Sequence, residues 1–101
     1  MTLSCGDEKV ALRVLVRGRV QGVGFRHFVH MKAAELGLSG FVRNVGEDQV
    51  EALLVGPRSA VEAAVEATSR GPRWSRVDQL STQPVPLEAC EDGPFRVLTS
   101  I

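Results

Sequence analysis

The segment GRVQGVGFR, residues Gly18–Arg26, joins a predicted strand to a predicted helix, and the fold is predicted outward from this connection. It contains three glycines, two arginines and no acidic residue. Gly18, Gly22 and Gly24 allow positive φ angles and let bare backbone approach a ligand. Successive N–H groups in such a turn form an anion-binding concavity, and the N-terminus of the following helix also favours negative charge. The segment therefore predicts a strand–loop–helix unit whose loop binds an anion.

Arg26 lies in the first turn of this helix. A positive charge there interacts unfavourably with the helix dipole, which destabilises the helix by roughly 0.3–1 kcal/mol. No Asp or Glu occurs between Val10 and Ala34, although five of the 12 basic residues of the chain do. An anion bound between the loop and Arg26 would explain this arrangement. A plain glycine turn beside a solvated arginine would explain it too, so the pattern alone leaves both interpretations open. The glycine spacing fits neither the GxGxxG dinucleotide motif nor the P-loop.

Hydrophobic periodicity predicts two helices and five strands, in the order β–α–β–β–α–β with a short extra C-terminal strand. The predicted strands cover residues 10–17, 40–45, 50–55, 74–82 and 95–99. The first helix follows the glycine loop to about Leu36, and the second is expected to open at a Ser59-x-x-Glu62 capping box and to end before Gly71. This order is typical of a ferredoxin-like α+β sandwich, an antiparallel sheet with two helices on one face.

The predicted core consists of one apolar stripe on each helix. The stripes are formed by Phe25, Phe28, Val29, Ala33 and Leu36 on the first helix and by Val61, Ala64, Val65 and Thr68 on the second. In the split arrangement the first two strands run parallel with a third strand between them, so their C-terminal ends lie at the same end of the sheet. Arg26 follows the first strand and Asn44 lies near the end of the second, so the two side chains are expected to be neighbours.

Composition limits the classes of protein that fit. The chain has 101 residues, 44% of them hydrophobic, which predicts one domain over residues 10–101 behind a flexible tail at residues 1–9. The formal net charge is zero, which argues against binding nucleic acid by bulk electrostatics. No apolar run approaches the length of a membrane span, and the N-terminus lacks the apolar core of a secretory signal. The expectation is a monomeric cytoplasmic protein.

Several other residues are of types that often have functional roles. Cys5 and Cys90 are interpreted as free thiols in a reducing compartment, with a disulfide that pins the tail as the alternative. His27 and His30 are three residues apart on a helix, but no third metal ligand is evident, so we interpret them as exposed polar positions. Trp74 is expected to pack at the start of the fourth strand.

Two motifs together resemble the acylphosphatase family. They are GRVQGVGFR and the segment GFVRN at Gly40–Asn44, and the similarity continues through the hairpin, the second helix and Arg76–Asp78 to cover about residues 11–98. The chain differs from the expected family pattern in its longer N-terminal tail. It also ends in FRVLTSI, without the aromatic residue that often closes the last strand.

The resemblance implies an enzyme that hydrolyses the carboxyl–phosphate bond of acylphosphates without a metal or cofactor. It implies that Arg26 and Asn44 are the catalytic residues. The substrate phosphate would be bound by the backbone of the stretch formed by Gln21, Gly22, Val23, Gly24 and Phe25. Arg19 and Arg43 would add positive potential that guides the anion.

These residue types suit that chemistry. A carboxylate is already a good leaving group, so the enzyme mainly supplies charge stabilisation and a positioned water. The guanidinium of Arg26 matches two phosphate oxygens at once. The neutral amide of Asn44 can orient water but cannot remove its proton, which is expected to pass to the substrate phosphate. A protein that only senses phosphate would use the same cradle, and Asn44 is the residue that distinguishes the two. An RNA-binding sheet would need more aromatic residues than this chain supplies.

Overall fold

A computed structural model describes residues 8–90 and 92–101, so the predicted tail up to residue 7, including Cys5, lies outside the described residues. The elements in chain order are β1 (Lys9–Arg19), α1 (Phe25–Glu35), β2 (Ser39–Val45), β3 (Gln49–Pro57), α2 (Arg58–Arg70), β4 (Arg76–Pro84) and β5 (Arg96–Val97). A short 3₁₀ turn, Leu87–Ala89, lies in the connection between β4 and β5. The predicted order of helices and strands is therefore confirmed.

The strands form one sheet in the order β4-β1-β3-β2-β5. β3 is antiparallel to both β1 and β2, so β1 and β2 run parallel on either side of it, as expected. β5 joins the outer edge of β2 in the parallel direction, which makes the five-stranded sheet mixed. The molecule is thus a ferredoxin-like α+β sandwich with an extra C-terminal strand.

Both helices pack on the same face of the sheet. Val14 on β1 pairs with Ala52 on β3, which pairs with Val42 on β2, and these three buried residues share a hydrophobic cluster with Val29 of α1 and Val61 of α2. Burying side chains of this size is worth roughly 1.5–3 kcal/mol each. The core therefore fixes α1, and with it the loop that precedes α1, against the C-terminal ends of β1 and β2.

The C-terminus of α1 follows the sequence prediction. Gly37 takes a φ of 71° just beyond the helix, and the N–H of Leu38 donates to the carbonyl of Ala33 at 2.9 Å. Leu38 is buried in the core. A left-handed glycine followed by an apolar contact is a common way to satisfy the last carbonyls of a helix.

Two local predictions are wrong. α2 begins at Arg58 and its N-cap is Pro57, so Ser59 lies inside the first turn and cannot cap it. Trp74 does not pack at the start of β4, since Trp74 is 73% exposed and β4 begins only at Arg76. The reason lies in the turn before the strand, where Ser75 donates both its N–H and its hydroxyl to the carbonyl of Pro72 and so delays the start of the strand.

The sheet face away from the helices holds a buried carboxylate. Glu51 is only 4% exposed, and it accepts hydrogen bonds from Arg13 on β1 and from Arg43 on β2, the latter at 2.7 Å. Burial alone would raise the pKa of Glu51, but the two guanidinium groups outweigh it and hold the pKa below its ordinary value. Arg43, expected to guide anions, is instead engaged in this pair.

Two further observations concern the described residues only. Their helices include none that is long and apolar enough to cross a membrane. Cys90 is a free thiol in the loop between β4 and β5.

Candidate functional site

The loop between β1 and α1 takes its shape from two glycines. Gly22 has a φ of 74°, and Gly24, the N-cap of α1, has a φ of 77° and a ψ of 20°, both in the left-handed region that favours glycine. A Cβ atom added at either position would meet no heavy atom within 4 Å. Glycine is therefore required here by the backbone conformation, and the space above the loop is open.

Gly18 has a different role from the one predicted. It lies inside β1, where the pairing with β4 shifts register, and an added Cβ would lie 2.2 Å from the carbonyl oxygen of Arg76. Its N–H donates to the carbonyl of Asp48 at 3.0 Å. Gly18 thus permits a β-bulge against the neighbouring strand, and the connection between β1 and α1 comprises residues 20–24.

The loop presents unpaired N–H groups. Across residues 8–90 and 92–101, the N–H groups of Gly22, Val23 and Gly24 donate to no acceptor. The first turn of α1 contains no acidic residue, and no side chain caps it. The side chains of Val23 and Phe25 turn toward the core, where Phe25 is 1% exposed. The loop therefore offers backbone donors at the positive end of a helix.

The side chain of Gln21 fastens this loop to the β2–β3 hairpin. Its Nε2 lies 2.9 Å from the carbonyl oxygen of Gln49, 3.0 Å from that of Gly46 and 3.3 Å from that of Val45. The side chain is thus occupied by the hairpin, and the backbone is what Gln21 can offer to a phosphate.

Arg26 and Asn44 both form a hydrogen bond with the backbone of the C-terminal segment, defined as residues 98–101. Arg26 is half-buried, and its Nη1 donates to the carbonyl of Leu98 at 3.3 Å. Asn44 pairs with Val50 in the hairpin, and its carbonyl accepts the N–H of Ile101 at 3.0 Å. The side-chain amide of Asn44 has no hydrogen-bond partner within the described ranges.

One cavity of about 310 Å³ joins these features. Its lining consists of Val20, Gly22, Gly24, Phe25, Arg26, His27, Asn44 and Val97. The fold therefore brings together the arginine, the asparagine and the two left-handed glycines that the sequence singled out. Gln21 and Val23 belong to the loop but do not line the cavity.

The two histidines do not form a unit. His27 is exposed and borders the cavity, whereas His30 is half-buried and stacks on Phe95 with 6.1 Å between ring centroids. His30 is therefore a packing residue and not the exposed position that was predicted. Within the part of the chain that the structure describes, no three His, Cys, Asp or Glu side chains are grouped so as to hold a metal ion.

Comparison with known proteins identifies the family. The sequence profile of acylphosphatases matches residues 12–96, most of the chain. The chain belongs to the acylphosphatase family. A curated acylphosphatase from Nitrobacter hamburgensis is 44% identical over 82 residues, covering 81% of this chain and 83% of its own length. One from Thermus thermophilus is 46% identical over 72 residues, covering 71% and 82% respectively.

Solved acylphosphatase structures share the fold. The structure from Coxiella burnetii superposes with a TM-score of 0.82 at 34% identity, covering 89% of this chain and 93% of its own. Together with the curated relatives, it identifies the chain as a hydrolase of the acylphosphatase family, whose substrates are small acylphosphates.

The structure adds two contributions to the candidate site that sequence reasoning missed. The Leu98 carbonyl that accepts from Arg26 is a backbone group, so no side-chain pattern could have revealed it. The hydrogen bonds from Gln21 to the β2–β3 hairpin were only weakly indicated by the sequence. The indication is that a glutamine in a glycine loop has a side chain long enough to reach a neighbouring turn.

Proposed function

We propose that the chain cleaves the carboxyl–phosphate bond of acylphosphates, with the backbone of residues 21–25 and the side chain of Arg26 binding the phosphate and Asn44 orienting the attacking water. The observation that carries this proposal is the shared cavity, because Arg26, Asn44, Gly22 and Gly24 all line it. An anion at this place would meet backbone N–H groups, a helix N-terminus and a permanent positive charge at once.

Arg26 suits the phosphate in both ground and transition states. Its guanidinium carries five N–H donors in a planar fork, and Leu98 accepts from Nη1. The remaining donors can engage two phosphate oxygens, and the bond to Leu98 restricts the side chain before substrate arrives. Such preorganised charge costs no reorganisation as negative charge shifts toward the leaving carboxylate.

Asn44 is proposed to position water opposite the leaving group. Its amide oxygen accepts a hydrogen bond from the water, whose oxygen attacks phosphorus as the bond from phosphorus to the carboxyl oxygen breaks. The carboxylate leaves with the bonding electron pair. Because an amide is not a base at neutral pH, the water proton passes to a phosphate oxygen of the substrate, and the products are the carboxylate and inorganic phosphate.

The test is release of phosphate from benzoyl phosphate in excess EDTA, by wild type and by Arg26→Ala. We expect rapid metal-independent turnover that falls by more than about 10³-fold in the variant, because binding and transition-state charge are lost together. Lys32→Ala, which removes a half-buried cation that pairs with Glu35 on the same helix, is the matched control and is expected to retain wild-type turnover. Wild-type turnover no faster than buffer would show that the loop only binds an anion.

The proposed working form is a cytoplasmic monomer that needs no cofactor, binds no nucleic acid and folds as one domain. The predicted domain start at residue 10 is too late, since Lys9 already belongs to β1 and Glu8 pairs with Arg58. The zero net charge supports the absence of nucleic acid. Light scattering gives the molar mass directly, and removal of residues 1–7 is expected to leave turnover unchanged.

A further inference from the structure

A second cavity, of about 340 Å³, is lined mainly by arginines. Its lining is Arg19 at the end of β1 together with Arg73, Trp74, Ser75 and Arg76 around the turn before β4. We call these residues the arginine cluster. Apart from the guidance of anions expected of Arg19, the proposed reaction gives these side chains no role. Trp74 is exposed over most of its surface, so packing does not explain its presence either.

The charges within the arginine cluster are unbalanced. Arg19 and Arg76 are direct partners in the β1–β4 register, and like charges opposite one another on neighbouring strands destabilise a sheet. Arg76 has one counter-charge, Asp78 at 3.0 Å. Arg19 and Arg73 have no carboxylate partner within the described ranges, and the Arg73 guanidinium lies 5.6 Å from the centre of the Trp74 ring. An anion bound among these three guanidinium groups would relieve their repulsion.

The arginine cluster adjoins the phosphate loop on two sides. Along the chain, Arg19 is followed directly by Val20, which lines the candidate active site. Across the fold, Gly71 packs so closely on Phe25 that an added Cβ would lie 2.8 Å from its ring and 2.3 Å from the Ser75 hydroxyl. The turn that carries Arg73 and Trp74 is therefore packed against the first residue of α1. If the loop binds the substrate phosphate, the turn with Arg73 and Trp74 therefore lies next to the rest of the substrate.

We infer that the arginine cluster binds a negatively charged group in the acyl part of the substrate. The inference rests on the proposed function, since it assumes an acylphosphate whose phosphate is bound by the loop. The preferred substrate class is then acylphosphates whose acyl chain carries a second anionic group, a carboxylate or a phosphate. The three guanidinium groups contact that group, and the Trp74 ring forms an apolar wall beside the acyl chain.

The experiment compares two acylphosphates of equal chain length, adipoyl monophosphate with a terminal carboxylate and hexanoyl phosphate without one. The quantity measured is the ratio of their kcat/KM values, for wild type, Arg19→Gln and Arg73→Gln. Because both substrates meet the same protein preparation, any loss of folded protein cancels in the ratio. Arg58→Gln is the matched control, since Arg58 is exposed at the start of α2 and pairs with Glu8 away from the arginine cluster.

We expect wild type to favour the dicarboxylic substrate and each variant in the arginine cluster to lower the ratio roughly two- to fivefold, the range for solvent-exposed charge pairs. Arg58→Gln is expected to leave it unchanged, and added salt to lower it in wild type. An unchanged ratio in Arg19→Gln and Arg73→Gln, with both substrates still hydrolysed, overturns the inference and leaves the proposed function intact. Hydrolysis of neither substrate by wild type overturns the proposed function itself.

Discussion

The Arg26 guanidinium donates to the backbone carbonyl of Leu98, a residue 72 positions further along the chain, with Nη1 and the oxygen 3.3 Å apart. The same C-terminal segment also pairs with β2, because the N–H of Leu98 donates to the carbonyl of Val42 and the N–H of Ile101 donates to the carbonyl of Asn44. The two proposed catalytic residues, which come from different elements, are thus positioned by one stretch of backbone.

Deleting residues 98–101 is therefore expected to reduce kcat/KM by about tenfold or more, since small displacements of a positioned group are costly in rate. Leu98→Ala is the matched control because it keeps the carbonyl, and we expect its turnover to stay within about twofold of wild type below the melting transition. The measurement is steady-state hydrolysis of benzoyl phosphate. Equal losses in the two variants would point to lost packing instead of the lost carbonyl.

Replacing Asn44 by Ala is expected to separate binding from turnover. The variant loses the group that orients water, so kcat falls about 10²–10³-fold, the effect typical of removing one positioned polar group. The inhibition constant of inorganic phosphate is expected to change by less than about threefold, because Arg26 and the loop remain. Weak phosphate binding with surviving hydrolysis would reverse the roles assigned to Arg26 and Asn44.

The glycines of the GRVQGVGFR segment are expected to differ in their tolerance of alanine. In Gly24→Ala the added Cβ contacts no neighbouring atom. The residue must still adopt a left-handed backbone conformation, which lowers the unfolding free energy by about 1–2 kcal/mol. Gly18→Ala drives its Cβ into the Arg76 carbonyl and must also distort the β1–β4 pairing, so its loss is larger. Urea denaturation of both variants measures the difference. Similar losses would show that β4 yields easily to the added methyl group.

Glu51→Gln is expected to lower the free energy of unfolding by about 1–3 kcal/mol at neutral pH, because the hydrogen bonds from Arg13 and Arg43 lose their charged acceptor. The pKa of Glu51 is depressed in the folded protein, so its contribution is fully present above the unfolded pKa of about 4.3. It is lost as the pH falls through the lower folded pKa.

The measurement for this pair is urea denaturation of wild type and Glu51→Gln across that acidic range. The difference in unfolding free energy between the two proteins is expected to shrink as the pH falls. Glu62→Gln, an exposed position on α2, is the control and should track wild type at every pH. A Glu51→Gln difference that stayed constant with pH would show that the charge on Glu51 does not stabilise the fold.

The sequence was sufficient to predict features that follow from local chemistry combined with topology. Gly22 and Gly24 predicted an open, left-handed loop, and the parallel direction of β1 and β2 predicted that Arg26 and Asn44 lie together. Trp74 was misplaced because the turn at Pro72 overrode its strand propensity.

Other features depend on pairing between distant segments, which a single sequence does not specify. The bulge at Gly18 depends on β4, and the Leu98 carbonyl reaches Arg26 only because β5 joins β2. The position of Glu51 also escaped prediction, because the turn expected at residues 46–49 would set Arg43 opposite Ala52. The observed hairpin pairs Val45 with Gln49, a shift of one residue that sets Arg43 opposite Glu51.

The side-chain amide of Gln21 donates to three carbonyls of the β2–β3 hairpin and so connects the loop before α1 to that hairpin. This connection bears on how the exposed turn at Glu47 and Asp48 would tolerate an insertion. Exposed turns with polar residues are normally where a chain accepts inserted residues without penalty. Here, however, the Gln21 side chain links the two strands that the turn connects to the loop that we propose binds the substrate phosphate. Grafting a peptide into this turn would therefore alter the affinity for phosphate, although neither Glu47 nor Asp48 lines the cavity.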